Sequence, residues 1–80
     1  MPSREFVYTV VFERNEHDGY TVMVPALPGL VTEGRTLDEA KQMAHDAIVC
    51  YLEGLIKDGE PIPQEREVLH ETVTVAVAGV

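Results

Sequence analysis

The strongest constraint in this sequence is a single helix signal in the middle of the chain. Thr36 and Glu39 form a capping box, in which the threonine hydroxyl accepts from the N3 amide and the glutamate reaches back to the cap. Asp58-Gly59 predicts the end of the helix, because glycine closes helices and the prolines that follow cannot continue one. Between these limits, apolar residues recur at the spacing of one buried helix face: Leu37, Ala40, Ala44, Ala47, Ile48, Tyr51 and Leu55.

Segments rich in β-branched residues flank this helix and supply the layer that it must cover. Residues 6–12 and 20–24 alternate apolar side chains on either side of Asp18-Gly19, a hairpin signal. Pro25 should end the second strand because proline has no backbone N–H to donate to a neighbouring strand. Residues 30–33 predict a short third strand. Residues 66–80 predict a fourth strand beside the first. The fold class is therefore α+β, with the order β-β-β-α-β and one helix packed on one face of an antiparallel sheet.

The length of 80 residues predicts one domain, residues 1–80. A domain of this size buries only about 60–65% of its unfolded surface, so association into a homo-oligomer, a dimer or tetramer, is the expected source of extra burial. The single cysteine, Cys50, excludes an internal disulfide and indicates a reducing cytoplasm. No apolar run approaches the ~20 residues that a membrane span needs, so no membrane association is expected.

Charge and side-chain chemistry favour a binding protein over an enzyme. Fourteen acidic against six scattered basic residues give a net charge of −8, which disfavours direct nucleic-acid binding. A charge of this size either serves solubility alone or also steers association with a basic partner. His17, His45 and His70 lie in separate segments without ligand spacing, and Cys50 is expected to be a small core residue. We therefore expect no catalytic residue, no metal ligand and no cofactor.

Six short motifs follow one another between about residues 5 and 65. They are Tyr-Thr-Val-Val-Phe (8–12), Asp-Gly-Tyr (18–20), Val-Pro-Ala-Leu-Pro-Gly (24–29), Thr-Glu-Gly-Arg-Thr-Leu-Asp-Glu-Ala (32–40), Tyr-Leu-Glu-Gly-Leu (51–55) and Asp-Gly-Glu-Pro-Ile-Pro (58–63). In this order they resemble the HicB antitoxin family. The resemblance implies a reduced ribonuclease H-like domain without catalytic acids. It also implies an antitoxin that covers the active surface of a HicA-like toxin, a small basic ribonuclease that cleaves mRNA.

The C-terminal part departs from the longer members of that family. Many HicB proteins carry a helix-turn-helix or ribbon-helix-helix segment that binds their own promoter, whereas only one strand's worth of chain follows Pro63 here. We therefore expect a short form that does not bind DNA by itself. The alternative is an orphan protein-interaction or small-ligand-binding module with no toxin partner.

Three segments are predicted to contact a partner or a second subunit. The proline- and glycine-rich segment after the second strand should be rigid and at the surface, where it either only joins the strand to the helix or also docks a partner. A second apolar stripe on the helix, formed by Val49, Leu52 and Ile56, lies beside the core one. The uncharged end of the chain would be an exposed edge strand, prone to pairing with other chains, if left alone. The predicted contact residues are Pro25, Leu27, Pro28, Gly29, Glu33, Val49, Leu52, Ile56, Val73, Val75 and Val77.

Overall fold

A computed structural model of the chain describes residues 4–65 and 69–80. Three strands, β1 (Val11–Arg14), β2 (Tyr20–Met23) and β3 (Val31–Gly34), form an antiparallel sheet in the order β1-β2-β3. One helix, α1 (Leu37–Lys57), follows them and packs on β2 and β3. The predicted α+β class and the order of these four elements are confirmed, whereas the ribonuclease H-like comparison stays a prediction.

The first hairpin is closed by the side chain of Asn15. Its Oδ1 accepts from the backbone N–H groups of His17 and Gly19, both at 3.0 Å, and Asp18 adopts a positive φ of 62°. The hairpin predicted at Asp18-Gly19 is thus confirmed. The first strand, however, begins at Val11 and not at residue 6.

The late start of β1 has a geometric cause. Val11 pairs with Met23, the last residue of β2, and the chain then turns away at Pro25. Within the described residues, no strand of the sheet is left to pair with residues 4–10. Their side chains nevertheless reach the core, where Phe6, Tyr8 and Val10 pack against it.

Two consecutive β-turns connect β2 to β3. The Leu27 N–H donates to the Val24 carbonyl at 2.9 Å, and the Leu30 N–H donates to the Leu27 carbonyl at 3.2 Å. In the second turn, proline precedes Gly29, whose φ of 85° is the positive value that a type II turn requires at this position. The segment that joins the turns is anchored by Leu27, which has no exposed surface.

The helix begins and ends where its sequence signals predict. The Thr36 hydroxyl accepts from the Glu39 N–H at 3.0 Å. At the other end, the Glu60 N–H donates to the Leu55 carbonyl and the Gly59 N–H to the Ile56 carbonyl, which is the Schellman pattern.

The helix lies close to the sheet because small residues face each other. Ala40 and Ala44 are buried against Val22, and a Cβ at Gly34 would overlap the backbone of Ala40. Two predictions about the helix faces are wrong. Leu37, placed in the core stripe, is exposed, and Leu52, placed in the second stripe, is buried in the core with Leu27 and Leu30.

The predicted fourth strand is not formed by the described end of this chain. Residues 66–68 of that prediction lie outside the described residues, and residues 69–80 contain no strand and are exposed throughout. The physical reason is that a strand needs a partner edge, and residues 69–80 are exposed throughout and pair with none of the three strands. The radius of gyration is accordingly 16.0 Å, whereas a compact chain of this length has about 12 Å.

Candidate protein-binding surfaces

The groups that could carry chemistry are dispersed over the described residues. His17 lies in the hairpin loop, His70 lies in the C-terminal segment, and both are exposed. His45 contacts its exposed neighbour Asp46, with Nδ1 and Oδ1 3.1 Å apart, a kind of pair that stabilises little. No group of three or more potential metal ligands occurs within residues 4–65 and 69–80. Cys50 is exposed, so its interpretation as a core residue is wrong.

One face of the sheet is left uncovered by the helix, and we call it the open face. Cross-strand partners in an antiparallel sheet lie on the same side, so the register defines two rows there. An apolar row consists of Val11, Met23 and Val31, and a polar row consists of Glu13, Thr21 and Glu33. The opposite side carries Val22, which packs against the helix.

The apolar row of the open face continues into the two β-turns at residues 24–30, which we call the double turn. Together they line a shallow recess of about 260 Å³, whose walls include Val31, Pro25, Pro28 and Gly29. Val31 is 61% exposed. Tyr51, on the helix, donates from its hydroxyl to the Pro28 carbonyl at 3.5 Å, which ties this loop to the core. The open face is therefore an apolar strip that lies on the strands, continues onto a fixed loop and is bordered by two carboxylates.

A second surface, which we call the groove, lies on the helix side of the molecule. Because the helix covers β2 and β3, the space beside it above residues 4–12 is open. The resulting groove has a volume of about 870 Å³. Its walls are mainly apolar and are formed by Phe6, Val7, Tyr8, Val10, Phe12, Ala44, Ile48, Val49, Leu52 and Ile56, with Arg4, Glu5, Lys41, His45 and Glu53 among the remaining lining residues.

The N-terminal wall of the groove is held by the segment that follows the helix. The Tyr8 hydroxyl donates to the Pro63 carbonyl at 2.6 Å. The Thr9 hydroxyl donates to a Glu65 carboxylate oxygen at 2.9 Å, and the Thr9 N–H donates to the other oxygen. Burial, with a smaller contribution from the Glu65 charge, raises the pKa of Tyr8 above its usual value.

The C-terminal segment, residues 69–80, is the third surface, and we call it the tail. It carries no charged residue after Glu71. Val73, Val75 and Val77 alternate with smaller residues, and they are 81%, 75% and 68% exposed. An uncharged β-prone segment with this exposure is an aggregation hazard unless another chain covers it.

The predicted contact residues do not form one site. Pro25, Pro28, Gly29 and Glu33 belong to the open face or its border, whereas Val49 and Ile56 line the groove. Leu52 forms the buried floor of the groove, and Leu27 lies in the core. The apolar row of the open face and the N-terminal wall of the groove are not among the predicted contact residues. The signal for both was available, because residues 6–12 carry apolar side chains on both faces of the predicted strand.

Comparisons with known proteins agree with the motifs. Residues 8–76 match the family described as HicB-like antitoxin of a bacterial toxin–antitoxin system. A UPF0150 protein of Archaeoglobus fulgidus is 40% identical over 45 residues, and one of Thermoplasma acidophilum is 44% identical over 45 residues. Each match covers 56% of this chain and 65% of the relative. No helix within the described residues is long and apolar enough to cross a membrane.

Proposed function

Because the chain belongs to the HicB-like antitoxin family, we propose that it neutralises a small basic ribonuclease toxin of the HicA type by covering its RNA-binding surface. The chain acts by binding and performs no reaction of its own. Since such a toxin cleaves mRNA, both proteins act in the cytoplasm.

The observation that supports this proposal is the polar row of the open face, which carries two carboxylates. Glu13 and Glu33 are both exposed and lie on either side of Thr21 in adjacent strands. An apolar strip lies beside them, so the face offers both burial and negative charge. A surface that evolved to hold RNA carries clustered lysine and arginine, and the open face is complementary to it.

The net charge of −8 adds a long-range component to the same interaction. Complementary charge raises the association rate constant more than it lowers the dissociation rate constant. At about 50 mM salt the Debye length is roughly 14 Å, and at about 500 mM it is roughly 4 Å. Association with a basic toxin should therefore slow across this range.

The test looks for a small basic protein encoded in a neighbouring reading frame and measures its binding kinetics with this chain at both salt concentrations. The double variant Glu13→Gln/Glu33→Gln should associate more slowly at low salt, and its rate should depend less on salt. The matched control is Glu16→Gln/Glu60→Gln, which removes the same charge from exposed positions outside the open face and should change the rate less. An association rate that is insensitive to salt, or equal effects of the two double variants, would contradict the proposal.

The alternative, a binding module without a toxin partner, predicts a different outcome. In that case no HicA-type toxin binds this chain, and the ribonuclease activity of such a toxin is unaffected by addition of this chain. Loss of mRNA cleavage on addition of the wild-type chain would exclude the alternative.

A further inference from the structure

We propose that the tail of one copy lies in the groove of a second copy, and that the exchange is reciprocal. The two chains would then form a dimer around a two-fold axis. This inference goes beyond the proposed function, since it requires no toxin and uses different surfaces from the open face.

The tail and the groove are complementary in chemistry. The tail presents three valines and no charge after Glu71, and the groove is lined mainly by aliphatic and aromatic side chains. The charged side chains that line the groove balance, with Arg4 and Lys41 against Glu5 and Glu53. A neutral apolar segment suits this groove, whereas a basic partner is better matched by the two carboxylates in the polar row of the open face.

The dimensions also agree. The groove follows the helix from Lys41 to Ile56, a length of about 23 Å at 1.5 Å per residue. In an extended chain, Val73 to Val77 spans about 13 Å, and the three valine side chains point to the same side. All three valines can therefore face the groove floor at Leu52 at the same time.

The tail does not fill the groove of its own chain. Its residues are exposed along the whole segment, and the molecule is 61 Å long, about twice the ~31 Å of its 21-residue helix. The tail thus projects away from the body while the groove stays open. Since every copy has one tail and one groove, reciprocal exchange satisfies both surfaces in both copies and closes the assembly.

The first test asks which chain the tail touches. In a Cys50→Ser background, Val49→Cys and Val75→Cys are made as separate proteins with different tags, mixed, and treated with a short thiol-reactive cross-linker. Exchange predicts a covalent product that carries both tags. The protein with both cysteines, treated at high dilution, should give little internally cross-linked monomer. A predominantly internal cross-link, or no product with both tags, would overturn the proposal.

The second test measures assembly without any cross-linker. Light scattering should give the mass of a dimer for the wild type, and Val75→Lys should lower the mass to that of the monomer because it places a charge against the apolar floor. Thr74→Lys is the matched control, since residue 74 faces away from the groove, and it should leave the mass unchanged. A monomeric wild type, or equal masses for the two variants, would overturn the proposal. Because both tests omit the toxin, their failure is distinct from failure of the toxin proposal.

Discussion

The double turn at residues 24–30 and the tail at residues 69–80 contradict what their composition suggests. The turn segment is rich in proline and glycine and has no regular secondary structure, yet its central side chain, Leu27, is 0% exposed. The tail has strong β propensity and buries none of its valines. The difference shows that burial depends on the partner surface that the fold provides, and that propensity alone does not supply one.

The largest effect should come from removing the anchor of the turn segment. Leu27→Ala is expected to lower the free energy of unfolding by about 2–5 kcal/mol, because it deletes a fully buried side chain and leaves a cavity. Chemical denaturation measures this change. Val31→Ala, at a neighbouring exposed position, is the control and should change the free energy by less than about 1 kcal/mol. Equal losses for the two variants would show that Leu27 is not the anchor.

A smaller loss is expected from Gly29→Val. A Cβ at this position meets no atom within 4 Å, so the cost arises from the positive φ of 85° and should be about 1–3 kcal/mol. Gly29→Asn is the matched control, because asparagine tolerates positive φ better than valine, and it should retain more of the stability. If denaturation shows no change for Gly29→Val, the loop is not fixed in this conformation.

In the groove, Ile56→Asp should affect association more than folding. Ile56 is 61% exposed in the single chain, so the helix content measured by circular dichroism should stay unchanged. Dimerisation makes the melting temperature of the wild type rise with protein concentration, and Ile56→Asp should weaken that dependence. An unchanged concentration dependence would indicate that the groove contributes nothing to assembly.

The smallest effect concerns the wall of the groove at Tyr8. Burial, and then the Glu65 charge, raise the pKa of Tyr8 in the folded chain. The folded state therefore holds the phenol proton more tightly than the unfolded state, and the resulting stability is present below about pH 10 and is lost as the pH rises through the folded pKa. Unfolding measured from about pH 8 to 11 should show this loss, and Tyr8→Phe should reduce it. Identical pH profiles for the two proteins would contradict the prediction.

The features that could be predicted from the sequence are those governed by local geometry. Each of them depends on a few neighbouring residues. They are the helix start at Thr36, its end at Asp58-Gly59, the hairpin near Asp18 and the turn at Gly29. Each such signal is set by backbone conformation and nearby donors, so no knowledge of the rest of the fold is needed.

The features that could not be predicted depend on where the sheet stops. Spacing alone placed Leu37 in the core and Leu52 outside it. The helix packs over β2 and β3, however, where Leu52 joins the core with Leu27 and Leu30 and Leu37 stays exposed. The same lateral position of the helix opens the groove. For the tail, composition predicted a strand that residues 69–80 do not form, because the partner edge that a strand needs is not set by these residues themselves.

The sequential pairing of β1 with β2 and of β2 with β3 also has a consequence for folding kinetics. Each strand pairs with its neighbour in the chain, so the sheet forms through small loops with a low entropic cost and should assemble quickly. Docking of the tail into a second copy requires an encounter between two molecules. Refolding should therefore show a fast phase independent of protein concentration, followed by a slower phase whose rate increases with concentration.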